Sequence, residues 1–352
     1  MIGTANKRLH FLDSSRGLAA LVVLLSHFQL TLLPQLNHSW LMKTPFHLML
    51  DGTSAILYFF ILSGFVLTLS IKSDEKISIG NYVKFIILRI FRIYPAFIFT
   101  LLITYVVIHN IEAGPTTWLS QYWKTQHDFH SLVNQAVLIV RLPNDPLLRL
   151  IPQDWTLSIE IAISMFLPLL VFTFRKKSTF FLIVIYLLVQ FLKIDPFIFD
   201  FSLGIFMACN LEALKNKWAN NKYKIYLLGF ALLLMCADFA FPDLMKVTDT
   251  ILIHHKSWGL AIILWAIISS VKIQRFLKFK PMIFLGKISY SFYLLHFIIL
   301  FIMLRFFTLN TAAFLIVYLI ITVLISSLTY YLIEKPSNKI SRFIVNKCSF
   351  LH

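Results

Sequence analysis

Two side chains on one apolar segment, Arg16 and His27, are the pair in this sequence best suited to chemistry. They are eleven residues apart, so at about 100° per residue both point to one face of a helix, and at about 1.5 Å per residue they stand roughly 16 Å apart along its axis. Imidazole is the side chain best poised to take a proton from a hydroxyl near neutral pH, and a guanidinium grips phosphate through a planar fork. A long donor with a phosphate-bearing end, such as coenzyme A carrying a thioester, fits that geometry. Its charged end sits near Arg16 and its thioester reaches His27. The plainer reading makes Arg16 a topology anchor and His27 an interhelical hydrogen bonder. Periodicity alone leaves both open.

Three further groups extend the pattern. Arg89 and Arg92 are three apart on one helix and present two forks in neighbouring directions, as phosphate binding favours; the alternative is a charge run that anchors topology. Glu160 lies in another apolar segment, where a carboxylate needs a partner, and is expected to orient His27 or bind an acceptor hydroxyl. Ser289, Tyr293 and His296 follow a three-to-four spacing and form one polar stripe, either an acceptor path or a set of interhelical hydrogen bonds. His254-His255 reads as a solvated loop pair. Glu334-Lys335-Pro336 reads as the end of the last helix, because proline disfavours helix in the residue before it.

The elements that must position these groups follow from composition. The 352 residues are 59% hydrophobic and 14% charged, against about 25% charged in soluble domains, and include 35 Phe. So much apolar surface cannot be buried in one soluble core, so lipid is the expected main solvent. Spans of roughly 20 apolar residues are expected near 14–33, 50–71, 93–110, 156–174, 179–195, 197–213, 224–241, 258–272, 281–304 and 311–333. These ten give an all-α polytopic bundle. With both termini inside, 24 of the 32 Lys and Arg residues fall in inner segments, which makes the +16 net charge a topology signal and not a nucleic-acid footprint. The stretch 112–154 is expected to be an outer loop with a short interfacial or re-entrant piece. The first apolar run is long enough to span and no small-residue cleavage site closes it, so it is expected to be retained. Three widely spaced cysteines indicate neither a disulfide framework nor a zinc site.

Six ordered motifs resemble those of the membrane-bound acyltransferase 3 family. Leu12-Asp13-Ser14-Ser15-Arg16 followed by His27 is similar to its opening Arg-x10-His signature. Phe59-Phe60-Ile61-Leu62-Ser63-Gly64-Phe65 resembles its Phe-Phe-x-Leu-Ser-Gly-Phe segment, and Arg89-Ile90-Phe91-Arg92 its Arg-x-x-Arg. Trp155-Thr156-Leu157-Ser158-Ile159-Glu160 resembles Trp-Ser-Leu-x-x-Glu. The runs Leu285–His296 and Tyr331–Pro336 resemble its last two helices. Leu57 departs from the family, many members having Asp there, and Thr156 replaces the commoner Ser.

The resemblance implies one transmembrane acyltransferase domain over 1–336, a basic cytoplasmic tail over 337–352, and a place in the bacterial inner membrane. It implies transfer of an acyl group, acetyl above all, from cytoplasmic acyl-CoA to a hydroxyl of a cell-surface glycan or lipid-linked sugar. No cofactor is expected to be permanently bound, and the partners are acyl-CoA, the glycan and membrane lipid. His27 is implied as general base or transient acyl carrier, with Glu160 beside it. Arg16, Arg89 and Arg92 are the implied donor-side groups, and Trp155, Ser158, Ser289, Tyr293 and His296 the acceptor path. A transporter or flippase is the alternative from another class, but ten glycines and no pairing between halves speak against it. No His-x4-Asp, G-x-S-x-G, phosphate-cradling glycine loop or HExxH occurs.

Overall fold

The structure, a computed structural model, describes residues 9–38, 40–71, 78–111, 119–123, 128–138, 149–192, 194–240 and 254–347. Most of them are helical, with no strand among them. In chain order the α-helices are α1 (His10–Leu32), α2 (Gly52–Ser70), α3 (Ile79–Asn110), α4 (Phe129–Ala136), α5 (Trp155–Leu192) and α6 (Phe197–Cys209). They continue as α7 (Leu211–Asn220), α8 (Lys224–Ala240), α9 (His255–Ser269), α10 (Val271–Leu277), α11 (Lys280–Phe306), α12 (Thr311–Thr329) and α13 (Lys335–Lys347).

Apolar side chains run all round most of these helices, which leaves capping and small residues to fix their ends and crossings. Asp51 accepts from the Ser54 amide (3.0 Å) to start α2, and Ser78 accepts from the Asn81 amide (3.1 Å) to start α3. Two glycine crossings set the centre. At α1–α11 a Cβ on Gly17 would lie 2.7 Å from the Gly286 nitrogen. At α2–α6 a Cβ on Gly64 would meet the Phe201 carbonyl, and one on Gly204 the Ile61 carbonyl. Backbones can approach this closely only where no side chain stands between them. α11 is the central helix, with 78% of its apolar window buried, whereas α12 buries 22% and turns residues such as Leu324 and Leu328 outward.

By length and composition six helices are able to cross a membrane, or eight if each bent pair counts as one span. Ten were expected. One difference is α5, which runs through two expected spans with only Lys177 non-helical (φ −145°, ψ 64°). The other is α8, of which 17 residues are described, up to the point where the described part ends at residue 240. α6 and α7 meet at a 77° bend, and α9 and α10 at 90°.

The last helix also corrects its expectation. Glu334-Lys335-Pro336 does not end it: Tyr330–Glu334 forms one π turn and the chain runs on as α13 to Lys347. Proline clashes with the carbonyl four residues back, here Leu332, and a widened turn at that point relieves the clash. Residues 337–347 of the expected tail are therefore a packed helix, held to α3 by Ser337 Oγ donating to the Phe91 carbonyl (2.6 Å). Residues 348–352 lie outside the described part, as do residues 112–118, 124–127 and 139–148 of the expected outer loop.

Candidate active site

The Gly17–Gly286 crossing places Arg16 on α1 beside the start of the polar stripe on α11. The Gly64 crossing turns Ser63 the other way, toward α5. Between them lies a cavity of about 100 Å³, room for roughly three waters. Arg16, Arg89, Arg92, Glu160, Ser289 and Tyr293 line it, with Ser63, Thr156 and Tyr290 adding hydroxyls and Ile56, Phe59, Phe60, Ile93 and Leu157 the apolar wall.

Its charges are paired unequally. Arg89 Nη2 donates to Glu160 Oε1 (2.7 Å) and to Ser164 Oγ (3.1 Å), and Ser63 Oγ donates to the same Glu160 oxygen (3.2 Å). Arg92 Nη1 donates to Glu334 Oε2 (3.1 Å), and its guanidinium lies 5.7 Å from the Tyr290 ring centre. Glu334 is buried, and its other oxygen accepts from the Ser291 amide (3.0 Å) and the Ser291 hydroxyl. Among the described residues, Arg16 has only Asp13 within ion-pair range, at 3.9 Å. Of the three guanidiniums it is the least neutralised, and so the best able to meet an incoming anion.

His27 does not line this cavity. Phe59 and Tyr293, which both do, meet edge to face, ring centres 5.6 Å apart. Tyr293 is held there by Thr156 Oγ1 (2.9 Å). Its ring centre is 6.0 Å from that of His296, whose ring is nearly coplanar with His27, with 2.8 Å between His296 Nε2 and His27 Nδ1. A carbonyl oxygen only accepts, so His296 Nδ1 carries the hydrogen given to the Tyr293 carbonyl (2.7 Å). His296 Nε2 is then a lone pair and His27 Nδ1 the donor to it. In the neutral pair, the proton-accepting lone pair of His27 sits on Nε2.

The expected site residues thus divide. Arg16, Arg89, Arg92, Glu160, Ser289 and Tyr293 share the cavity; His27 and His296 form a second group beyond it. Glu160, expected to orient His27 or bind an acceptor hydroxyl, is held by Arg89 and Ser63, and the side chain hydrogen-bonded to His27 is His296. Arg89 and Glu160 meet within the bundle. Arg89 is ten residues into α3, about 15 Å along it, and its side chain is 14% exposed. Trp155 packs against Phe197 (ring centres 5.2 Å apart), and Ser158 Oγ donates to the Asp154 carbonyl (3.4 Å), so neither lines the cavity.

Glu334 and Gln153 were not anticipated. Glu334 carried a signal, an acid at the end of a long apolar run, but its proline neighbour suggested a helix end. Gln153 Nε2 donates to the Leu294 carbonyl (2.9 Å), tying the start of α5 to α11. Beside it Asp154 is fully buried; burial pushes its carboxyl up to about 7, against the lowering effect of Arg149 at 2.9 Å.

His254 and His255 are not a solvated pair. His254 is buried with its ring 4.5 Å from Phe199, and His255 Nε2 is 2.6 Å from Asp238 Oδ1. Lys256 bridges Asp51 (2.9 Å) and Asp238 (2.8 Å), tying together the ends of α2, α8 and α9. Among the described residues no three His, Cys, Asp or Glu side chains are grouped to hold a metal ion.

A family model described as an acyltransferase domain matches residues 9–331. No curated protein matches the chain, and no solved structure does.

Proposed function

We propose, from the premise that this chain belongs to the acyltransferase 3 family, that it moves an acetyl group from acetyl-CoA on the cytoplasmic side to a hydroxyl of an extracytoplasmic glycan or lipid-linked sugar. In this reading both termini face the cytoplasm, the membrane is a bacterial inner membrane, and acetyl-CoA is a co-substrate and not a resident group. The observation that carries it is the arrangement of two groups of side chains, three guanidiniums on one cavity and a histidine pair behind one tyrosine ring.

Phosphates of the donor meet Arg16 first, since its charge is least offset, with Arg89 and Arg92 held behind it by Glu160 and Glu334. The thioester arm extends past the Phe59–Tyr293 contact toward His27. His27 Nε2 accepts the proton of the acceptor hydroxyl as its oxygen attacks the thioester carbonyl. The C–S bond then breaks and the coenzyme leaves as thiolate, taking the proton back from the imidazolium. In the relay variant Nε2 attacks the carbonyl itself, the C–S bond breaks and the coenzyme leaves as thiolate; the acyl group then passes to the hydroxyl oxygen, whose proton goes by way of the freed imidazole to the thiolate. Glu160 acts on the donor side by fixing Arg89.

Purified protein in liposomes, given radiolabelled acetyl-CoA and envelope glycan fractions, tests this. Label is expected in glycan with the wild type and not with His27→Ala. Glycan crossing the bilayer without acylation would favour a flippase instead.

A further inference from the structure

We propose that α13 is a binding site for anionic phospholipid, taking the phosphodiester headgroup on a basic stripe and the acyl chains on an adjoining apolar one. The π turn at Tyr330–Glu334 brings this helix off the end of α12, with Glu334 anchored to Arg92. Its back is fixed to the protein: Ser337, Ser341 and Val345, four residues apart, are buried against α3, and Ser337 bonds the Phe91 carbonyl.

The remaining surface has two faces. At about 100° per residue, Arg342, Lys335 and Lys339 fall within about 60° of one another, with Asn346 between the two lysines. Phe343 and Ile340 occupy the next 100° or so, with Lys347 between them, and the π turn adds Leu332; the three apolar side chains are 58%, 51% and 71% exposed. Over its 13 residues α13 carries four cations, Lys335, Lys339, Arg342 and Lys347, and no acid. Among the described residues none of these cations makes an ion pair. Lys335 and Lys347 instead lie over aromatic rings, 5.3 Å from Tyr331 and 4.6 Å from Phe343.

Water is a poor partner for the apolar face and protein contacts leave the basic one unneutralised. One environment satisfies both together: the boundary between acyl chains and negatively charged headgroups, where a helix lies flat. The apolar edge reaches acyl carbons, the basic edge phosphates, and the serine edge holds the protein.

The test uses the full chain in phosphatidylcholine nanodiscs doped with spin-labelled phosphatidylglycerol or spin-labelled phosphatidylcholine. The fraction of motionally restricted label gives the preference for the anionic lipid, with no dependence on acyl transfer. The wild type is expected to prefer phosphatidylglycerol, and the triple variant Lys335→Gln, Lys339→Gln, Arg342→Gln to lose that preference by about fivefold or more. Asn346→Lys adds a cation within the stripe and is expected to raise the preference, which keeps the test informative if the triple variant does not fold. Equal preference in wild type and both variants overturns the proposal. Displacement of the label by millimolar inorganic phosphate at constant ionic strength would assign the stripe to a soluble anion and equally overturn it.

Discussion

His27 Nδ1 lies 2.8 Å from His296 Nε2, and His296 is in turn fixed by the Tyr293 carbonyl. The second histidine does for the first what a carboxylate does in a serine hydrolase: it selects the tautomer and holds the ring. His296→Ala should lower kcat about 100-fold with the KM for acetyl-CoA little changed. His296→Gln should recover part of the loss, since its amide oxygen can accept from Nδ1. Full activity in His296→Ala would leave the pair without a catalytic role.

Glu334 ties three elements at one buried point: Arg92 on α3, Ser291 on α11 and the π turn after α12. In Glu334→Gln a neutral amide faces Arg92. Because the Arg92 side chain is 29% exposed, water offsets part of the loss, and a cost of about 1–3 kcal/mol in thermal stability is expected. The KM for acetyl-CoA should rise as Arg92 loses its fixed direction. A variant with unchanged melting temperature and unchanged KM would remove Glu334 from the donor site.

Gly64 and Gly229 offer a controlled comparison. Gly64→Ala drives a methyl into the Phe201 carbonyl at the α2–α6 crossing, whereas Gly229→Ala meets nothing within 4 Å. The first should destabilise by about 1–3 kcal/mol or more. The second should be neutral or stabilising by about 0.5–1 kcal/mol through helix propensity. Thermal unfolding in detergent distinguishes them, and equal melting temperatures would mean that the close crossing does not exist.

Asp154 predicts a pH dependence. Its carboxyl is pushed up to about 7 by burial, while in the unfolded chain it titrates near 4. The folded state therefore binds the proton more tightly. Its stabilising contribution is complete below about pH 4 and is lost as pH rises through about 7. Between pH 5 and pH 8 the wild-type melting temperature should fall further than that of Asp154→Asn, which has no proton to lose. Parallel slopes would contradict the burial of this carboxyl.

Much of this was legible in local patterns. That Arg16 and His27 lie on one helix, and Ser289, Tyr293 and His296 on another, follows from the apolar runs that carry them. Motif glycines at positions 17 and 64 sit where helix backbones touch. Partnerships across long sequence separations were not legible. Nothing local links Glu160 with Arg89, 71 residues away, so the sequence points its charge to His27 or an acceptor hydroxyl and not to this partner. His254-His255 looked like a loop because Asp238 and Asp51, which meet the neighbouring pair His255 and Lys256, lie on other helices. At Glu334 the local rule pointed the wrong way: a proline that ordinarily closes a helix is here accommodated by one wide turn.

The most direct measurement is acetyl transfer by His27→Ala in liposomes alongside binding of acetyl-CoA by the same protein. The account predicts a rate lowered at least about 100-fold with donor binding retained, because the guanidinium cavity is separate from the histidine pair. Transfer at the wild-type rate by this variant would contradict it.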